Sequence, residues 1–240
     1  GRGINGGVEV GYQEIPEHLL NSKYKHETEY FLAHGIDVHK QNLNIKPSCH
    51  FFMGGVKINE RCETDVEGLY VCGECAGGLH GANRIGGNAL PAALVFGEIA
   101  GINAALYSMN HDFKESDSSS FFNSIPKKGV ETVERILLDK IKNILWNNIG
   151  VVRNELGIFQ AQEDIASIKN IFNEIKYTSN LSDYFRLRNA IFVAEVISLA
   201  SLERKESRGS HYRSDYPEEN NTWKKNIIIN KNLKIKYLRR

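Results

Sequence analysis

Between Leu69 and Leu106 the sequence changes character twice. A short apolar run, Leu69 to Cys72, leads into a loop carrying Gly73, Gly77, Gly78, Gly81, Gly86 and Gly87, and a long apolar stretch follows from Ala89. The pattern predicts a buried strand, a glycine-rich loop and a helix. Asn88 is placed to act as N-cap, and Pro91 falls in the first turn, where its missing N–H costs little. Such a unit turns unpaired backbone N–H groups toward a ligand, because glycine lets the backbone approach without a Cβ and the helix start carries partial positive charge. A chain built around it belongs to the mixed α/β (α+β) class. The apolar stretch from Ala89 to Leu106 contains Glu98 near its middle, which is costly in lipid. It therefore reads as a buried core helix and not as a membrane span.

The segments on either side are read from their periodicity. Gly1 to Gly7 reads as a loop, Val8 to Tyr12 as a short strand, and Lys25 to Ala33 as a helix stopped by Gly35. Leu43 to Cys72 is strand-like, punctuated at Pro47, Gly54, Gly55 and Gly68. Asn110 to Ser124 is polar and serine-rich and predicts a linker. Val130, Val133, Leu137, Ile141, Ile144 and Leu145 then step by three and four, and Ile165, Ile168, Phe172 and Ile175 repeat the stripe. Ala190 to Leu202 is apolar nearly all round apart from Glu195, which predicts a buried central helix of a small antiparallel bundle. The tail from Glu218 is polar, then alternates Ile and Lys, and is expected to dock loosely.

Composition narrows the function classes. In 240 residues, 30 Lys and Arg balance 29 Asp and Glu, so no basic field for nucleic acid exists. Four cysteines in a chain of this length suggest thiols in a reducing, cytoplasmic compartment. The chain begins with Gly1 and reads as a fragment or a processed product.

Four groups of residues are candidates for chemistry. Cys72-Gly-Glu-Cys75 is a CxxC that ends a strand, unlike a redox CxxC, which opens a helix; with Cys49 and Cys62 forming no second pair, small buried side chains are the simpler reading and no metal site is expected. His50, in Pro47-Ser-Cys-His50-Phe-Phe-Met-Gly54-Gly55, sits among apolar residues, where a histidine is ordinarily a satisfied core residue. The loop Gly73 to Asn88 also holds His80 and Arg84, and Arg84 offers a two-pronged fork for a carboxylate or phosphate. Glu203 to Arg213 is dense in charge and predicts a solvated or salt-bridged helix end.

Taken together, the stretches SCHFFMGGVKIN, GLYVCGECAGGLHGANRIGGNALPAALVFGEIAG, NNIGVVRNELGI and ERKESRGSHYRSDYPEEN resemble the flavoprotein subunit of the succinate dehydrogenase and fumarate reductase family, to which L-aspartate oxidase is related. They occur in the family's order from about Lys46 to Trp223, and HGANRIGGN beside His-x-x-Met-Gly-Gly is highly specific. The resemblance implies part of a flavin-binding domain followed by a C-terminal antiparallel helical bundle. Residues 1–40 would end a capping domain, 41–108 return to the FAD domain, 109–128 form a linker, 129–208 the helical domain and 209–240 a tail. It further implies FAD as cofactor, a four-carbon dicarboxylate held by His50 and Arg84, and flavin contacts from Glu74, Asn88, Ala89 and Leu90. The partners would be the N-terminal half of the flavoprotein and an iron–sulfur subunit. A GxGxxG set between a strand and a helix, which would hold the ADP half of FAD, is not found, and Arg2 does not match the family's proton-delivering arginine. No catalytic acid is therefore expected in this stretch, and the isolated chain is expected to bind FAD weakly. Gly86-Gly87-Asn88 stands where L-aspartate oxidase reads Ala-Ser-Asn, which favours the succinate/fumarate reading over that alternative. A non-catalytic remnant is the alternative of a different class.

Overall fold

The computed structural model describes residues 7–112, 119, 123, 125–129 and 133–239. The expected loop from Gly1 (Gly7 apart), Arg2, most of the expected linker and Val130 lie outside the described residues. Contacts divide the chain into two units, Gly1–His50 and Phe51–Arg240.

In the first unit, β1 (Val8–Val10) pairs antiparallel with β2 (Leu43–Ile45), Val10 opposite Leu43. Between them lie α1 (Glu17–Leu20) and α2 (Lys25–Ala33). The α2 bounds are those read from the sequence. Gly35 stops the helix at φ +77°, and the Ile36 N–H reaches back to the Phe31 carbonyl. Leu20, Val38 and Leu43 are buried here.

The second unit begins with β3 (Val56–Lys57), which pairs in parallel with β4 (Ala76–Gly77). This corrects the expected run of strands. Leu69–Cys72 forms no strand: Tyr70 makes one isolated bridge to Glu63, and Cys72 leads into a 3-10 turn, Gly73–Cys75. The reason is local. Cys62 and Gly68 take positive φ, which folds 59–71 back on itself through Val71 N–H to Cys62 O. The backbones of β3 and β4 come so close that a Cβ on Gly55 would stand 2.3 Å from the Cys75 carbonyl oxygen, so only glycine fits there.

Helix α3 (Ala89–Met109) follows the loop as expected, but two readings of it are corrected. Asn88 precedes the helix without capping it through its side chain, because its backbone is already near-helical (φ −78°, ψ 0°). Nor is the helix buried: Ala100 is its buried residue, while Leu90, Leu94 and Met109 are 76%, 74% and 81% exposed. An all-round apolar helix needs cover on every side, and the described residues cover a strip through Cys62, Arg61 and Tyr70. By length and composition α3 is long and apolar enough to cross a membrane.

The remainder is a three-helix bundle: α4 (Val133–Ile149), α5 (Glu155–Asn173) and α6 (Leu181–Glu203), each packed on the other two. Arg135 and Asp183, at the starts of α4 and α6, pair at 2.7 Å, so these two run the same way and α5 returns between them. Asn154 caps α5 by accepting from Gly157 N–H, and Asn180 caps α6 by accepting from Ser182 N–H. Leu137, Ile141, Ile158, Ile165, Leu187 and Ile191 form the core; Leu137, Ile141, Ile165 and Ile191 lie in the segments the sequence predicts, and Ile158 and Leu187 extend them by about two turns and one turn. Helix α6 buries one face only, with Phe192 and Val193 about half exposed, because its two partners cover it from one side. A short parallel pair, β5 (Lys127–Lys128) with β6 (Tyr177–Thr178), ties the chain entering α4 to the α5–α6 connection.

The tail is not loosely docked. It forms an antiparallel hairpin, β7 (Lys225–Ile229) and β8 (Ile235–Arg239), held at its root by the Arg204 guanidinium, which donates to the carbonyls of Trp223 (3.0 Å) and Lys225 (2.7 Å). Lys225 lies over the Tyr237 ring at 4.1 Å.

Ile158 is fully buried at the centre of the bundle. Ile158→Ala should lower stability by about 2–5 kcal/mol, through lost transfer energy and the cavity left behind, as read by urea denaturation.

Candidate functional site

The glycine-rich loop joins β4 to α3 and carries Arg84 four residues before Asn88. Gly78, Gly81 and Gly87 adopt positive φ, so the loop folds through turns that side-chain-bearing residues rarely make. Open space lies where a Cβ would stand on Gly73, Gly81, Gly86 and Gly87. Arg84 is half-buried. Its guanidinium carbon lies 4.4 Å above the Phe51 ring, and Nη1 donates to the Ile85 carbonyl at 3.3 Å. Phe51 meets the His80 ring edge-on at 5.3 Å. Arginine, aromatic ring and imidazole thus form one cluster, with Arg84 over the Phe51 face and His80 edge-on to Phe51.

Glu74 lies on the 3-10 turn and is exposed; one carboxylate oxygen accepts the Phe52 N–H at 2.8 Å. Ala89 and Leu90 begin α3 at the loop's end, where helix N–H groups lack intrahelical partners. His50 closes the first unit, exposed and outside regular structure. Cys72 and Cys75 bracket the 3-10 turn, and Cys75 Sγ lies 3.1 Å from the Cys72 carbonyl oxygen.

The charged segment after α6 is salt-bridged, as the sequence suggests, but it is buried and not solvated. Arg213 is wholly withdrawn from water; it makes a two-pronged pair with Asp215 (2.7 and 2.6 Å) and donates to the carbonyls of Ser201 and Leu202 at the end of α6. The Arg213 fork holds the Asp215 carboxyl down to about 2. Glu206, also fully buried, accepts from Arg204, Arg208 and the Asn220 N–H. Burial opposes its charge, yet these three partners outweigh it and leave its pKa below the ordinary carboxylate value.

His211 sits between these arginines: Nδ1 lies 2.8 Å from Arg153 Nη1, and Nε2 lies 3.3 Å from the Arg204 carbonyl oxygen. Burial, then the Arg153 charge, push its pKa down to about 4, so the ring is neutral, with Nδ1 accepting from Arg153 and Nε2 carrying the proton. The segment touches the glycine-rich loop directly: Ser210 N–H and Oγ–H both donate to the Ala82 carbonyl, at 3.1 and 3.2 Å. Sequence reasoning reads this segment as structural and misses that contact. An Arg-Gly-Ser turn in a charged run is the only local sign of it, since the two partners stand 128 positions apart. Arg153, Arg204 and His211 also line a cleft of about 700 Å³, with Gly78, Gly81 and Phe52 on its other wall.

A glycine-lined loop running into a helix start, with an arginine beside it, is an architecture that can receive an anionic or nucleotide-like ligand. A family model described as a FAD binding domain matches residues 13–90, and one described as fumarate reductase flavoprotein C-term matches residues 138–239. The chain is 41% identical to an uncharacterized FAD-dependent oxidoreductase of Methanocaldococcus jannaschii, over 95% of this chain and 44% of that protein. It is 31% identical to a chain of the CoM/CoB fumarate reductase of Methanothermobacter marburgensis, over 100% of this chain and 46% of that one. L-aspartate oxidase of Acinetobacter baylyi is 32% identical over 85% of this chain and 38% of its own length. Among solved structures, Mycobacterium smegmatis Sdh1 superposes with a TM-score of 0.81 at 28% identity, covering 94% of this chain and 41% of that one. Escherichia coli FrdA, at 24% identity with a TM-score of 0.84 over 97% of this chain and 44% of that one, shares the fold. The chain belongs to the FAD-dependent oxidoreductase family of succinate dehydrogenase, fumarate reductase and L-aspartate oxidase flavoproteins. It spans about half the length of the curated relatives it matches. FAD is the cofactor these matches indicate, and the residues present fit it: the loop glycines leave a face with no side chain, and the N–H groups of Ala89 and Leu90 in the first turn of α3 lie where a helix has no intrahelical acceptors and could receive an electron-rich group.

The His211 shift fixes a pH dependence. The unfolded ring takes a proton near 6.5 and the folded one near 4, so its contribution is complete above pH 6.5 and is lost as pH falls toward 4. The loss should reach about 3 kcal/mol. Melting curves from pH 7 to 4.5 should fall steeply for the protein as it is and more shallowly for His211→Gln.

Proposed function

We propose that this chain is the part of a flavoprotein that exchanges a hydride between FAD and a four-carbon dicarboxylate of the succinate/fumarate type. The observation that carries the reading is the placement of Arg84: a guanidinium over the Phe51 ring, at the end of a glycine-rich loop, next to the helix start. A dicarboxylate needs a cation or donor at each end to be held in one pose, and hydride transfer is efficient only when the carbon is fixed near contact distance. Arg84 grips one carboxylate with its fork. The Ala89 and Leu90 N–H groups at the α3 start, with Asn88 beside them, would hold the flavin and would favour negative charge on its reduced ring. Glu74, one oxygen already held by the Phe52 N–H, keeps a second oxygen for a flavin hydroxyl. The chemistry FAD supplies when bound is the acceptance or return of the hydride.

The exposed apolar faces of α3 fit the same reading. Leu90, Leu94 and Met109 are covered by the N-terminal half of the flavoprotein, with residues 1–40 ending the capping domain and 41–108 returning to the flavin domain. Helix α3 is then an internal helix and not a membrane span; the protein is cytoplasmic, and any membrane association comes through a partner. An iron–sulfur subunit is the electron partner. Oxidation of L-aspartate is the second reading, favoured by relatives of that name at similar identity; Gly86-Gly87 in place of Ala-Ser argues for the first.

Two measurements test this on the flavin-loaded protein. Arg84→Lys should cost about 2–4 kcal/mol in kcat/KM for fumarate, because an ammonium cannot make the two-pronged contact; unchanged kcat/KM removes Arg84 from the site. Anaerobic flavin bleaching by succinate but not by L-aspartate is expected, and the reverse assigns the oxidase.

A further inference from the structure

The Arg84 loop is not held by its own strand and helix alone. Two residues before Arg84, the Ala82 carbonyl oxygen receives two hydrogen bonds from Ser210, one from its backbone N–H and one from its hydroxyl. Gly209, the preceding residue, sits at φ +56° directly against this peptide. A Cβ there would stand 2.4 Å from the Ala82 oxygen and 2.6 Å from its carbonyl carbon. Both the conformation and the space therefore require glycine.

The turn that makes this contact is itself immobilised. Arg208 and His211 exchange backbone hydrogen bonds across it, at 2.8 and 3.0 Å. The Arg208 guanidinium is forked onto buried Glu206, and the His211 ring is pinned by Arg153. Arg153 in turn donates through Nε to the carbonyls of Ile149 and Gly150 at the end of α4, and its N–H donates to Tyr212 O. The turn is thereby fixed to the ends of α4 and α6.

We propose that the turn Arg208–His211 is the positioning element for Arg84. By fixing the Ala82 carbonyl against the end of the helical bundle, it sets where the guanidinium stands. The reasoning is geometric. Gly81 at φ +59° leaves the loop soft on one side of Ala82, and the Phe51 contact bears on the guanidinium and does not stop translation of the loop beneath it. A binding group is useful only when a second layer of contacts fixes it to within about half an ångström, and the Ser210 pair on Ala82 supplies that layer. Gly209 and Ser210 contact the loop at the Ala82 peptide and not at the Arg84 side chain. They act through Arg84, and so the proposal rests on the reading of Arg84 as a carboxylate ligand.

The test uses the flavin-loaded protein and malonate, a dicarboxylate that binds without reacting, titrated by calorimetry, with fumarate turnover measured alongside. Ser210→Ala removes the hydroxyl donor and should weaken malonate binding at least threefold, and Ser210→Thr, which keeps a hydroxyl, should restore it. Gly209→Ala should weaken malonate binding tenfold or more and raise KM for fumarate in step, with flavin content unchanged. In an Arg84→Lys background neither change should weaken binding further, because the group being positioned is gone. Amide hydrogen exchange over residues 78–86 should quicken in Ser210→Ala, a readout independent of any ligand. Normal malonate affinity in Ser210→Ala and Gly209→Ala, while Arg84→Lys loses it, overturns the positioning role and leaves Arg84 as ligand. Effects that add in full to Arg84→Lys overturn it also. Normal affinity in Arg84→Lys overturns the ligand reading instead, and exchange over 78–86 then decides by itself whether the turn holds the loop. Should Gly209→Ala fail to fold, the Ser210 pair of variants carries the test.

Discussion

A carboxylate and a guanidinium with no exposure to water, seven residues apart, hold the second unit together. Arg213 and Glu206 are each fully buried, and neither could remain charged there without complete pairing. Arg213 satisfies itself on Asp215 and on two carbonyls at the end of α6, and Asp215 also accepts the Glu155 N–H at the start of α5. Glu206 gathers Arg204, Arg208 and the Asn220 N–H, and Arg204 carries the root of the β7–β8 hairpin. Helix ends that would otherwise leave carbonyls and N–H groups unpaired are thus closed by side chains from one short segment. Removing any one partner would strand a charge in the interior, so the segment is fixed as a whole.

That rigidity is what the site uses. The glycines that open a side-chain-free face for a flavin also deprive their loop of side-chain packing, and such a loop gains no definite position from its own residues. The position comes from outside: from Ser210 on Ala82, from Phe51 beneath Arg84, and from the parallel β3–β4 pair at its root. In the proposed arrangement, softness in the loop and stiffness in the bundle end belong together: the helical bundle fixes the Ala82 peptide and so contributes geometry to the loop.

Much of this was readable along the chain where the signal is local. The α2 bounds, the heptad-like stripes of α4 and α5 and the glycine-rich loop before α3 depend on residues within a few turns of one another, and the HGANR and Met-Gly-Gly stretches carry the family resemblance in contiguous letters. The misreadings share a different origin. Leu69–Cys72 has strand-like residues but lies beside turns at Cys62 and Gly68 that fold it back. Asn88 is a good capping residue whose backbone happens to be helical already. The Ile and Lys alternation of the tail reveals a strand but not the arginine 21 positions away that pins it.

The sequence by itself determined where most of the helices lie, that a glycine-rich loop precedes α3, and that the chain is an FAD-dependent oxidoreductase relative. Those properties follow from composition, period and contiguous motifs. Only the tertiary structure decided which charges lie in the interior and what each is paired with. It also decided that most of α3 stays exposed among the described residues, and that Ser210 meets Ala82. Burial and hydrogen bonding between residues 128 positions apart depend on how the chain returns on itself, and no local pattern encodes that.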